Sequence, residues 1–140
     1  MTGVQTCALP ICGAQVIFYP TSIGWHPHEK AQFGAGQLEA WKTIQRGHAI
    51  ANGVYAAVVN RVGFEGHPEN GDPGLEFWGN SFVADPFGQI VSEASNSKEE
   101  ILVVECDPTK SEETRRNWPF LRDRRIDAYQ PILNRWLGEK

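Results

Sequence analysis

The chain has 140 residues, the size of one ordinary domain, with 41% hydrophobic and 21% charged residues, which excludes wholesale disorder. Its formal net charge of -4 argues against a general nucleic-acid binder, which needs a basic face. Three cysteines do not make a disulfide framework, no apolar run is long enough to span a bilayer, and no secretory h-region is visible, so a reducing cytoplasm is the expected compartment.

Residues 1–11 (M-T-G-V-Q-T-C-A-L-P-I) show neither strand alternation nor a helical face. They resemble one translated reading frame of a sequencing-library adapter. Residues 1–12 are therefore expected to be a non-native segment, with Cys7 outside the native set and Cys12 at its boundary, and residues 13–140 the native part of one domain.

Ala14 to Tyr19 is a compact apolar run closed by Pro20, which predicts a strand buried on both faces. Thr21 to Phe33 reads as a loop. Gln37 to Asn52 carries Leu38, Trp41, Ile44, His48 and Ala51 near a helical period, and Asn52-Gly53 is a helix stop. Val54 to Asn60 predicts a second buried strand. Gly63 to Gly74, rich in Gly and Pro, reads as an excursion loop. Leu75 to Ala84 predicts a third strand, Asp85-Pro86-Phe87-Gly88 a turn, and Gln89 to Ala94 the returning arm of a hairpin. The I-L-V-V of Glu99 to Asp107 predicts a fifth strand. Asp107 is placed to cap a helix with Pro108 in its first turn, ended by Asn117-Trp118-Pro119, and Ile126 to Leu137 offers a short final helix. Two buried strands around one helix make a βαβ unit, and the later hairpins make the sheet mixed: the fold class is α/β with a mixed sheet.

The loop Thr21 to His28 follows the carboxyl end of a buried strand, where open α/β sheets bind ligands. It is either a substrate-lining loop or an exposed polar connector. His26 and His28 lack the partners that metal ligation needs, so no metal is expected. His48 reads as a core histidine. Cys106, between Glu105 and Asp107, is expected to have a raised pKa and a structural role. Arg122 to Asp127 alternates in charge and reads as an ion-pair network at a terminus or subunit contact.

Several segments carry a resemblance. They are G-A-Q-V-I-F-Y-P-T-S-I-G-W-H-P from Gly13, W-K-T-I-Q-R-G-H-A-I-A-N-G from Trp41 and V-V-N-R-V-G from Val58. E-F-W-G-N-S-F-V-A-D-P-F-G-Q-I from Glu76 and W-P-F-L-R-D-R-R-I-D-A-Y from Trp118 complete the set. Together they resemble the carboxyl-terminal half of a carbon–nitrogen hydrolase of the nitrilase superfamily. The resemblance implies half of an α-β-β-α sandwich and a small-molecule amide or carbamoyl amine substrate. It implies no cofactor, no membrane or nucleic-acid partner, and a homo-oligomeric full-length enzyme. The implied reaction opens a linear carbamoyl amide, N-carbamoylputrescine, to putrescine, ammonia and carbon dioxide. In it a thiolate attacks the carbonyl, a glutamate is general base and a lysine stabilises the oxyanion. All three groups lie upstream of the G-A-x-V-x-x-Y-P strand in the family, so no catalytic residue is assigned in this chain. Cys12 abuts that strand without the Trp-Asp neighbours of the nucleophile's motif. The resemblance carries over substrate contact by Ser22, Ile23, Gly24, Trp25 and His26. An acidic residue of this loop in plant members suits a cationic amine, and His26 stands near its place here. The alternative is a non-catalytic binding or assembly module that keeps the second half of the fold.

Overall fold

The computed structural model describes residues 8–133. The chain runs through a single helical turn α1 (Ala8–Ile11), β1 (Val16–Pro20), β2 (Gly24–Trp25), the long helix α2 (Pro27–Asn52) and β3 (Tyr55–Val59). It continues through β4 (Val62–Glu65), β5 (Leu75–Trp78), β6 (Phe82–Ala84), β7 (Ile90–Glu93) and α3 (Pro108–Asn117). Short 3-10 turns follow at Ile126–Ala128 and Gln130–Leu133, where the sequence predicts an α-helix; its last four predicted positions lie outside the described residues. Residues 8–11 turn helically despite the absence of a helical face in the sequence.

The main sheet has the order β1-β3-β6-β7 and is mixed, as expected. β1 and β3 are parallel, in register from Val16 opposite Tyr55 to Pro20 opposite Val59, and the β3–β6 and β6–β7 pairs are antiparallel. A parallel pair needs a crossover, and α2 supplies it across one face of the sheet. Trp41, Gln45, Ala49 and Asn52 form its buried side. Ile44 fits the apolar period but lies off this stripe and stays exposed. The polar Asn52 is tolerated inside because its amide donates to the His48 carbonyl at 2.8 Å. Trp41 packs edge-on to Phe82 at 5.8 Å and against Trp78 at 5.9 Å, which joins the helix to β6 and β5. Gly53 closes the helix in the left-handed conformation, φ 58°, as Asn52-Gly53 predicts.

Further elements differ from the sequence reading. The helix begins at Pro27, ten residues before the predicted start, with Pro27 in its first turn and the His26 ring accepting from the His28 amide. Gly34, which looks like a helix breaker, lies inside the helix where the Trp25 indole packs: a Cβ there would lie 3.1 Å from the indole nitrogen, so the ring would have to shift by a few tenths of an ångström. The single predicted strand Leu75 to Ala84 is two strands in two sheets. Gly79 and Asn80 both take left-handed φ, 55° and 54°, and turn the chain from one sheet to the other. β5 therefore belongs to a second, antiparallel sheet of order β2-β5-β4, built partly from Val62–Glu65 in the predicted excursion loop.

The other face of the main sheet is only partly covered: Tyr55 and Ala57 of β3 are buried there, while β1 is not. Phe18, on β1, is 70% exposed, so this strand is buried on one face rather than on both. The segment Glu99 to Asp107 is not a strand and pairs with none among the described residues. It is a strap whose alternate residues Leu102, Val104 and Cys106 are half-buried, while Ile101 and Val103 are each 92% exposed. Its far end is tied down where the Asp107 amide donates to the Tyr55 hydroxyl at 3.1 Å. The period-2 pattern is present, but the segment joins none of the described strands.

Asp85 ties the β6–β7 turn to α3. Its side chain is buried; one oxygen accepts from the amides of Phe87 and Gln89, both at 2.9 Å, and the other from Lys110 Nζ at 2.6 Å. That bond holds the Lys110 ammonium above its ordinary pKa. Asp107 caps α3 by accepting from the Thr109 amide, as predicted. Asp85→Ala strands two part-buried amides and a lysine and is expected to cost about 2 kcal/mol, read as a fall in the denaturant midpoint. Asp85→Asn, which keeps an acceptor for the turn, is expected to cost less; equal losses would show that the ion pair, rather than the turn amides, carries the effect.

Candidate functional site

Because β1 and β3 run parallel, their carboxyl ends lie at one edge of the sheet, and the segments that follow both meet there. Thr21 turns back onto β3, its amide donating to Val59 O at 2.7 Å. Ser81, just before β6, comes to the same edge: its hydroxyl accepts from the Asn60 amide at 2.9 Å. A cleft of about 380 Å³ opens beside them, lined by Asn60, Arg61, Ser81 and Lys98 among others.

The five residues singled out from the sequence divide here by direction. Ser22 is exposed, and its hydroxyl accepts from Arg61 Nη1 at 3.3 Å. Ile23 turns inward and packs on the core. Gly24 lies so close to β5 that a side chain would sit 2.2 Å from the Glu76 carbonyl oxygen. Trp25 also packs on the core. Its indole N–H donates to Gly34 O at 3.0 Å, its ring meets Trp78 at 5.3 Å, and the Lys30 ammonium sits 4.9 Å from the ring centroid. Lys30 is bonded to both Glu76 oxygens at 2.6 and 2.7 Å, so its charge is paired. His26 is half-buried at the start of α2, its Nδ1 engaged by the His28 amide at 3.4 Å. Ser22 thus faces the edge most directly, while Ile23 and Trp25 serve as anchors for the loop.

Asn60 and Arg61 share this edge and are not singled out by sequence reasoning. Arg61 reaches Ser22, pairs with Glu65 at 2.7 Å and lies 4.1 Å over the Phe77 ring. The signal was the polar Asn-Arg pair closing an otherwise apolar strand, read there only as the strand's end.

The remaining candidates settle into other roles. His48 stacks on Tyr19 at 6.0 Å, and burial lowers its pKa. Burial, rather than the flanking carboxylates, raises the Cys106 thiol, the wrong direction for a nucleophile. Arg122 pairs with Asp123 at 2.8 Å and Arg125 with Asp127 at 2.5 Å, all on the surface. Among the described residues no three His, Cys, Asp or Glu side chains gather as a metal set, and no helix is long and apolar enough to cross a membrane.

Residues 7–116 match the family model described as carbon-nitrogen hydrolase. The chain is 40% identical to an N-carbamoylputrescine amidase of Oryza sativa over 127 residues, covering 90% of this chain and 41% of that protein. It is 32% identical to a citrullinase of Francisella tularensis over 89% of this chain and 41% of that protein. Among solved structures, a carbon-nitrogen hydrolase from Helicobacter pylori superposes with a TM-score of 0.88 at 44% identity, covering 94% of this chain and 45% of that one. The chain therefore spans about two fifths of the length of the curated relatives it matches.

The lowered His48 pKa fixes a pH dependence. An unfolded histidine takes its proton near 6.5, whereas the folded one takes it only at lower pH. In that interval the unfolded state binds more protons, so stability falls as pH drops from about 7. Thermal midpoints measured from pH 7 to 5 are expected to decline, and less steeply in His48→Gln. Equal slopes would show that His48 is not the titrating group.

Proposed function

The chain belongs to the carbon–nitrogen hydrolase family, and we propose that residues 13–140 are the carboxyl-terminal part of an amidase that hydrolyses a terminal ureido group, with N-carbamoylputrescine as substrate. The observation that carries this is the 40% identity to the rice N-carbamoylputrescine amidase across 90% of the chain. The citrullinase supports the chemistry from another side: citrulline and N-carbamoylputrescine both end in a ureido group carried on a methylene chain. What this chain supplies is the carboxyl edge of β1 and β3, with Ser22 and the His26 ring as substrate contacts and Ile23, Gly24 and Trp25 shaping the loop between them. The attacking cysteine, the glutamate base and the lysine at the oxyanion come from sequence upstream of β1. Hydrolysis then proceeds through an S-carbamoyl enzyme: sulfur bonds to the ureido carbon, one nitrogen leaves with the proton held by the glutamate, water releases a carbamic acid from the sulfur, and its loss of carbon dioxide frees the second nitrogen. The 140-residue chain alone has no nucleophile for this step and is inactive.

The second reading is a binding or assembly module without catalysis, with which the half-buried Cys106 thiol, poorly suited to attack, is equally consistent. One exchange separates the two. Residues 13–140 replace the matching segment of the rice enzyme, and ammonia release is measured with N-carbamoylputrescine and with citrulline. Turnover of N-carbamoylputrescine by the chimera, with none by the chain alone, is the expected result. Preference for citrulline would overturn the substrate assignment. A chimera that melts cooperatively yet releases no ammonia from either would favour the non-catalytic module. In the active chimera, His26→Asn keeps a capping side chain and removes the imidazole. It is expected to raise KM by about tenfold with kcat nearly unchanged, the pattern of a lost ground-state contact; an unchanged KM would remove His26 from the site.

A further inference from the structure

We propose that Asn60 is the positioning residue of this edge: it holds the Ile23 backbone and the Thr21 hydroxyl, on either side of Ser22, and so sets where the Ser22 hydroxyl is presented to substrate. The proposal rests on the reading of the Ser22 loop as a substrate contact. Asn60 is 8% exposed. Its Oδ1 accepts from the Ile23 amide at 3.0 Å and from the Thr21 hydroxyl at 3.2 Å, a proton that Thr21 shares with Val59 O at 2.9 Å. Its Nδ2 donates to Ile23 O at 3.0 Å and to Gly79 O at 3.1 Å. Both acceptor positions and both protons of the amide are thus used, the full capacity of an asparagine.

The pattern is specific. One amide meets both the N–H and the C=O of Ile23, as a neighbouring strand would, although no strand lies there. The Ile23 backbone is thereby fixed on one side of Ser22, and the Thr21 hydroxyl on the other. The next residue, Arg61, donates to the Ser22 hydroxyl itself. Asn60 is in turn seated from behind, its own amide donating to the Ser81 hydroxyl and its carbonyl accepting from that hydroxyl at 3.2 Å. Thr21–Ile23, Asn60–Arg61 and Gly79–Ser81 are far apart in sequence, and this one side chain bonds the first to the third. No other residue type supplies two donors and two acceptors at this length. Aspartate keeps the acceptors but turns a charged oxygen toward the carbonyls of Ile23 and Gly79.

A double-mutant cycle in the chimera with the rice enzyme tests this, with KM and kcat for N-carbamoylputrescine measured for Ser22→Ala, Asn60→Asp and the pair. Ser22→Ala alone is expected to raise KM about fivefold and Asn60→Asp about tenfold. In the double variant KM is expected to match that of Asn60→Asp, because a misplaced Ser22 has no contact left to lose. Amide hydrogen exchange at Ile23 is expected to quicken in Asn60→Asp and not in Ser22→Ala. KM effects that multiply would overturn the proposal, since they would mean that Asn60 acts through general stability and not through Ser22. An unchanged KM in Ser22→Ala would overturn the reading of the loop as a substrate contact and the proposal with it; the single variant thus separates the two failures. If Asn60→Asp does not melt cooperatively, Thr21→Val, which removes one of the bracketing bonds, is read in its place against the same criterion.

Discussion

Parallel pairing of β1 with β3 is the constraint from which the rest of the molecule follows. It forces a crossover, and α2 is that crossover. It brings both strand ends to one edge, so the loop after β1 and the Asn60–Arg61 step after β3 have to share space. It also leaves strongly buried backbone at β3 that the side chains of α2 must cover; Trp41 and Ala49 in the helix and Ala56 and Val58 in the strand belong to one core cluster. The small Ala56 of β3 lets the helix approach, and the large rings sit where the two sheets meet.

The second sheet depends on the first through a corner. Gly79 and Asn80 turn the chain between β5 and β6, and no ordinary side chain fits at Gly79, where a Cβ would lie 2.7 Å from Ser95 O. The same corner offers Gly79 O to Asn60. The turn that separates the sheets is thus bonded to the residue that gathers the edge, so the geometry of the edge is set by the body of the fold and not by the loop alone.

Much of this was legible from short-range chemistry. Asn52-Gly53, Asp85-Pro86 and Asp107-Pro108 each encode a local event that needs no distant partner: a left-handed helix end, a turn and a cap. What stayed hidden depended on partners far along the chain. Gly34 reads as a breaker until the Trp25 indole is seen against it. Leu75 to Ala84 reads as one strand because its alternation does not say which sheet each half joins. Ile101 and Val103 have the composition of a strand but pair with no strand among the described residues. At the site, Ser22 and its loop followed from their place after a buried strand, whereas Asn60 did not, because an asparagine at a strand end is indistinguishable from a terminator until its four bonds are drawn.

The strap from Glu99 to Asp107 has a consequence for the lifetime of the chain. It is extended, its backbone joins no described ladder, and it offers Ile101 and Val103 outward, which is the shape a protease cleft receives. Cleavage there requires no global opening and would part α3 from the sheet that carries the edge. Any chain in which the strap is left uncovered is thus marked for turnover by a route independent of its melting temperature, while one in which another strand covers it is spared. Covering of the strap, and not folding of the sheet, would decide how long such a chain persists.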